Sequence, residues 1–434
     1  MAHYARDVLR TSLTQAVMIG AGVMAGILTA RELGPDGRGL YSLGVSIRDT
    51  AIVFGGLELG AALIYTRGQK PGGDAQIVGA GLVAPFFLGV ITLLGIALCW
   101  PLLSEPLKLL PQDLLVLSIV LIPVTLIGMA IRQVFRALDD FDNFNRLRVF
   151  AAVARLSALT LAFLLGGYVR AALIALLVSE AIVIAIGVFM LLRRTRPDFV
   201  GGVRLLPGIL RFGLKLESAS ALGYASVRIS VFAIAYYLDA DAIAFYTVAD
   251  GLVQQIAGLP MIVATVLLPK ISGVTEESRA ELTAITHRVI FLSLAIIAVV
   301  VWSLSQWVVV GLYGVAYAPA VAILGVLLPA MVFQSGSRVL APYLVAVNRI
   351  YIQVLIQAVS LAVHVTLLVL WIPTMGILGV AWALAAGAAV RWILYLVAVA
   401  FSAKISVFRI LVFNMSDARR ISAAAQEQLR FAKS

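Results

Sequence analysis

Seven basic residues fall inside stretches that are otherwise apolar enough to cross a membrane: Arg48, Arg132, Arg155, Lys215, Arg228, Arg338 and Arg391. A charge at the bilayer centre costs about 2.5–3.5 kcal/mol on insertion scales, so such side chains rarely face lipid. The chemistry they could do is anion binding: a set of buried cations makes a polar, positive interior that can hold a negative group while it crosses. The acids embedded with them, away from the ends of these stretches, are five: Asp49, Glu58, Glu180, Glu217 and Asp250. Two positive charges are left over and need an anion or water.

The cations differ in what else they could be doing. Arg48 and Arg228 sit well inside their segments and are the core candidates for binding, with Arg338 and Lys215 as weaker members. Lys215 is near a segment end, where a long stem can snorkel to the interface instead. Arg132 is expected to meet lipid phosphates, and Arg155 and His364 to be packing contacts. Arg48 and Asp49 are adjacent, hence about 100° apart on a helix, and are not expected to pair well with each other. Asp49, Glu58, Glu217 and Asp250 are candidate ion-coupling residues, because desolvation favours a carboxyl that is protonated or sodium-bound. The alternative for each is a plain partner to an arginine.

The segments that must position these groups follow from composition. The 434 residues are 62% hydrophobic and 13% charged, with mean hydropathy +1.03. That is a polytopic membrane protein, since a soluble chain cannot hide so much apolar surface. The net charge of +11 belongs to membrane topology and not to nucleic-acid binding. The single cysteine excludes an intrachain disulfide and a Cys-based zinc site, and three scattered histidines make no metal site. No P-loop is present, so transport must draw on a gradient of protons or sodium; no cofactor is expected.

Spans of about 20 residues are expected near 11–30, 40–66, 76–100, 112–135, 148–168, 171–192, 212–237, 242–268, 286–311, 318–347, 350–372 and 377–402, twelve in all. The first is too long an apolar run for a cleaved signal peptide. With both ends inside, 22 of the 33 basic residues lie in cytoplasmic segments and four outside, the remainder being embedded. Outer connections are too short for a folded domain. The segment RRTRPDFVGGVRLLPG (193–208) reads as a linker between halves. The expected layout is an N-terminal lobe 1–195, a cytoplasmic linker 196–208, a C-terminal lobe 209–402 and a cytoplasmic amphipathic tail 403–434.

The halves resemble each other. ELGPDGRGLYSLG (32–44) lies over YLDADAIAFYTVA (237–249) at an offset of 205, matching Leu33 with Leu238, Asp36 with Asp241 and Tyr41 with Tyr246. A second echo at 209 aligns Ala137 with Ala346 and Gly167 with Gly376. Six spans per half make the repeats parallel, about an axis along the membrane normal.

The segment ARELGPDGRGLYSLG (30–44) resembles the first-loop signature of polysaccharide flippases, in the multidrug/oligosaccharidyl-lipid/polysaccharide exporter superfamily. The resemblance extends to about residue 402. It implies an all-α fold of twelve transmembrane helices in two parallel six-helix lobes, V-shaped, with the first two spans of each lobe lining the cavity. It also implies that the chain is a transporter, not an enzyme, moving a polyprenyl-diphosphate-linked oligosaccharide to the outer leaflet of the cytoplasmic membrane by alternating access. The implied partners are that glycan, membrane lipids and, as a further candidate, polysaccharide assembly proteins. A multidrug exporter of the same superfamily is the main alternative, although a cavity for cationic drugs would want surplus acids. A membrane-embedded glycan polymerase or ligase would need a large outer loop bearing acids or histidines.

Overall fold

The computed structural model describes residues 2–69, 73–272 and 275–411, and within these the side chains of 2–13, 16, 102, 218–221, 227 and 259–272 are left aside. Fourteen α-helices make up the described residues: α1 (Ala2–Gly56), α2 (Leu59–Gln69), α3 (Asp74–Leu98), α4 (Trp100–Leu107), α5 (Gln112–Ala137), α6 (Phe141–Leu164), α7 (Val169–Arg194), α8 (Phe199–Tyr237), α9 (Ala240–Ser272), α10 (Glu276–Tyr313), α11 (Pro319–Ala346), α12 (Ile350–Met375), α13 (Ile377–Ala403) and α14 (Val407–Leu411).

The count of spans differs from the twelve expected. Among the described residues nine helices are long and apolar enough to cross a membrane, or ten with α8 taken as one bent span. Part of the difference is that the first two expected spans run as one element, α1, broken at Gly34 and not separated by a loop. Gly34 takes φ 65°, which a side chain would resist, and Pro35 then restarts the helix. The Gly-Pro pair of the 30–44 signature is therefore the break itself. The second expected span, 40–66, is interrupted as well: Leu57 and Glu58 both have φ 44° and separate α1 from α2.

The expected linker is mostly helical. α7 ends at Arg194, and Asp198 caps α8 by accepting from the Gly201 N–H at 2.8 Å. The glycines there serve close packing and not flexibility. A Cβ on Gly202 would stand 2.4 Å from the Ala80 nitrogen, and one on Gly79 2.1 Å from the Asp198 carbonyl oxygen. So the start of α8 is seated directly on α3.

The chain divides into two compact units, 1–248 with 309–320, and 249–308 with 321–434. In the first, α8 packs on α1, α2, α3 and α4, and the unit thereby runs past the 196–208 boundary that the repeat implies. One of its cores joins Leu63, Ile77, Val134, Phe135, Leu147 and Leu191 from α2, α3, α5, α6 and α7. The second unit has a core of Leu340, Tyr343, Leu344, Tyr395, Leu396 and Ile410. Phe86, Phe87, Leu94, Leu164, Trp307 and Phe401 stay exposed, as a lipid-facing surface requires. Of the expected tail, α14 is held by Arg288, which donates to the Arg409 carbonyl; residues 412–434 lie outside the described residues.

Within the first unit the two copies of the repeated segment meet. The Thr247 hydroxyl lies 3.2 Å from that of Ser42, 205 residues away, the same offset that aligns the sequences. Beside it, a Cβ on Gly39 would lie 1.8 Å from the Ala240 carbonyl oxygen. That glycine of the signature lets α1 touch the start of α9.

Candidate functional site

The charges of the first unit gather around two carboxylates. Asp49, on the second arm of α1, accepts from Arg48 at 2.6 and 3.0 Å through Oδ1, and from Arg228 of α8 at 3.3 Å through Oδ2. The neighbouring residues Arg48 and Asp49 do pair, against expectation. Their Cα–Cβ bonds diverge, but the long arginine stem brings the guanidinium back to the carboxylate. Arg48 is buried at 7% exposure, whereas the Arg228 and Asp49 side chains keep 35% and 28%. The group as a whole carries one net positive charge and is open on the Arg228 side.

The second carboxylate is Glu180 of α7, 3% exposed. It lies 3.3 Å from Arg132 of α5 and 3.6 Å from Arg155 of α6. Arg132 is thus bound to a buried acid in place of the lipid phosphate expected for it, and Arg155 is a member of a charge group. Gly128 makes room, since a Cβ there would come within 2.6 Å of Glu180 Oε2. The two groups are neighbours: the Glu180 charge acts on Arg48, and the Arg155 charge on Asp49. Breaking a buried pair by removing one partner costs about 3–5 kcal/mol. Glu180→Ala should therefore lower the thermal unfolding temperature of the detergent-solubilised protein clearly more than Glu180→Gln, which keeps an acceptor for Arg132.

Glu58 and Glu217 form a third site. Glu58 stands at the break between α1 and α2, and Glu217 at the bend of α8, whose arms 199–217 and 222–237 meet at 49°. Both line a cavity of about 350 Å3 with Gln133, Arg136 and Tyr224. Gly213 sets the approach, for a Cβ there would lie 2.2 Å from the Leu57 carbonyl oxygen. Two carboxyl groups and one arginine share this space, at a discontinuity in both helices.

The remaining sequence candidates lie elsewhere. Lys215 is exposed on α8. Arg338 and Asp250 belong to the second unit, where Arg338 donates to the Ala257 carbonyl at 3.3 Å and Asp250 accepts from Gln254 at 3.2 Å. Two further arginines reach the first arm of α1. Arg38 reaches Thr29 and covers the Tyr41 ring at 5.4 Å, and Arg148 donates to Gln15 at 2.9 Å. No spacing rule would have found them, because what places them is the helix break at Gly34 and the packing of α6 on α1.

Residues 4–275 match the model of a family described as polysaccharide biosynthesis protein, well over half of the chain. The chain belongs to that family. No curated protein matches it in sequence. Its all-α membrane architecture is shared with several solved structures, some of them described as transporters of the MOP superfamily. One is the lipid II flippase MurJ in an inward closed conformation, at TM-score 0.73 and 15% identity, covering 98% of this chain and 92% of that one. A multidrug resistance MATE family transporter in an inward-facing conformation gives TM-score 0.69 at 17% identity, over 92% and 98%. A superfamily transporter from Pyrococcus furiosus, whose binding pocket is described as of reverse polarity, gives 0.52 at 15%, over 92% and 95%. Family and fold together make this chain a multi-pass, all-α membrane protein of the polysaccharide biosynthesis family, with a fold that transporters and flippases share.

Proposed function

We propose that the protein flips a polyprenyl-diphosphate-linked oligosaccharide from the inner to the outer leaflet of the cytoplasmic membrane, with both termini cytoplasmic. The observation that supports this best is the Arg48–Asp49–Arg228 group, cationic overall, partly open and built from α1 and α8. A guanidinium presents parallel N–H donors that match phosphate oxygens bidentately. The diphosphate would take up the donors of Arg228 and Arg48 while Asp49 keeps them oriented. The glycan would occupy hydrated space, and the polyprenyl tail would stay in lipid. The repeat would put Arg48 and Arg228 in different lobes, but both lie in the first compact unit, so the grip is built within that unit. The test is flipping in proteoliposomes of a synthetic polyprenyl-diphosphate oligosaccharide, read by its protection from an impermeant reagent added outside. A wild-type protein that leaves the cargo accessible removes this reading.

Coupling is assigned to the Glu58–Glu217 pair in preference to Asp49 and Asp250. Asp49 is committed to two arginines and Asp250 accepts from Gln254, whereas two carboxyl groups in one cavity can share a proton or a sodium ion. Their place at a helix break and a helix bend would let binding report on lobe movement. Glu217→Gln and Glu58→Gln should each abolish acceleration by an imposed proton or sodium gradient while leaving basal flipping measurable. Wild-type flipping that is indifferent to both gradients would remove the coupling role.

A further inference from the structure

Four arginines gather beside the first arm of α1, next to the Asp49 group. Arg148 is bonded to Gln15 at one end, and Arg38 to Thr29 near the Gly34 break at the other. Those anchor points are about 21 Å apart at 1.5 Å per helical residue. Arg132 and Arg155 share the single carboxylate Glu180. These groups line a cavity of about 350 Å3, whose opposite wall is the small-residue face Gly22, Ala25 and Gly26. A Cβ added at Gly22 or Gly26 would meet nothing within 4 Å, so the space beside them is open. The Arg38 Nε is buried with no partner among the described residues. Arg148 also feels the like charges of Arg132 and Arg136.

Four guanidiniums against one carboxylate is more than holding helices together requires, since one pair per acid would do that. The excess lines one cavity whose end anchors lie far apart on α1, so it suits a chain carrying several negative groups better than one compact phosphate. The diphosphate of the proposed cargo is already provided for at Arg48 and Arg228. We infer that this cluster is a glycan subsite, and that the cargo is an acidic oligosaccharide whose sugar carboxylates bind Arg148, Arg155, Arg132 and Arg38. The inference rests on the flippase reading and adds to it the chemical class of the glycan.

The test uses the full chain in proteoliposomes with two synthetic polyprenyl-diphosphate tetrasaccharides that differ only in carrying glucuronate or glucose residues. The wild type should flip the acidic cargo faster than the neutral one at low cargo concentration. In Arg148→Gln, Arg155→Gln the ratio of acidic to neutral rates should fall about tenfold, as for the loss of one or two charge-assisted hydrogen bonds. Arg148→Lys, Arg155→Lys, which keeps the charge, should retain most of the preference. A ratio near unity in the wild type, or one unchanged by the glutamine variant, overturns the inference. Should that double variant fail to fold, Arg155→Gln alone serves, since Glu180 keeps Arg132. Should the wild type move neither cargo, the flippase reading has failed, and direct binding decides the subsite. Free trigalacturonate bound more tightly than maltotriose by the wild type, and not by Arg155→Gln, keeps it; equal binding of the two sugars removes it.

Discussion

Arg48→Ala, Arg228→Ala should lose export of the lipid-linked glycan while still reaching the membrane in normal amount. Each guanidinium can give a phosphate two charge-assisted hydrogen bonds worth about 1.5–3 kcal/mol apiece. Losing one arginine should then slow flipping by about 100-fold or more, since 1.4 kcal/mol is a factor of ten. The two single variants should differ in stability. Arg228 is a third exposed and shares Asp49 with Arg48, so its removal leaves Asp49 paired. Arg48 is buried and lies closest to Asp49, so its removal should also lower the unfolding temperature. Lysine should rescue either position only in part, offering a point charge where a planar fork is needed. Export at the wild-type rate by the double alanine variant would show that these charges are structural and that the diphosphate is held elsewhere.

The second large effect is expected at Gly39. A Cβ there would lie 1.8 Å from a main-chain oxygen, that of Ala240, and a backbone atom cannot swing aside as a side chain can. Gly39→Val should push α9 away from α1, break the Ser42–Thr247 contact and cost at least the 1–3 kcal/mol typical of overpacking. The measurement is the unfolding temperature and yield of the purified variant. Gly22→Ala is the control, since that position opens onto free space. Equal behaviour of the two variants would mean that the close approach is not needed for folding.

How much of this was legible beforehand depended on the kind of signal. Hydropathy carries span positions well, because the bilayer imposes length and composition on each segment. It does not carry breaks. The Gly34–Pro35 turn could have been suspected from the residue pair, but the left-handed Leu57 and Glu58 have no local signature, and their conformation is imposed by packing against α8 at Gly213. The 196–208 segment misled for a related reason. Its glycines and proline look like a linker, yet Asp198 caps a helix whose glycines are contact points on α3. At the site, burial of cations named Arg48 and Arg228, but pairing needs distances. Asp49 joining residues 179 apart in sequence, and Glu180 joining Arg132 to Arg155, depend on helix rotations that periodicity cannot fix.

The Ser42–Thr247 contact bears on ancestry. In an undoubled ancestor working as a homodimer, position 42 would have met its own copy across the axis. A hydroxyl suits that place because it both donates and accepts, whereas a charged group would face itself. The ion group around Asp49 has no such symmetry. At the same offset, Arg48 and Asp49 correspond to Val253 and Gln254, and Arg228 corresponds to Val23. A homodimer must place every charge twice, on both sides of its axis. On the proposed duplication, a fused chain is free to change one copy at a time, and so can keep a neutral hydroxyl contact between the copies with a single lopsided ion group beside it.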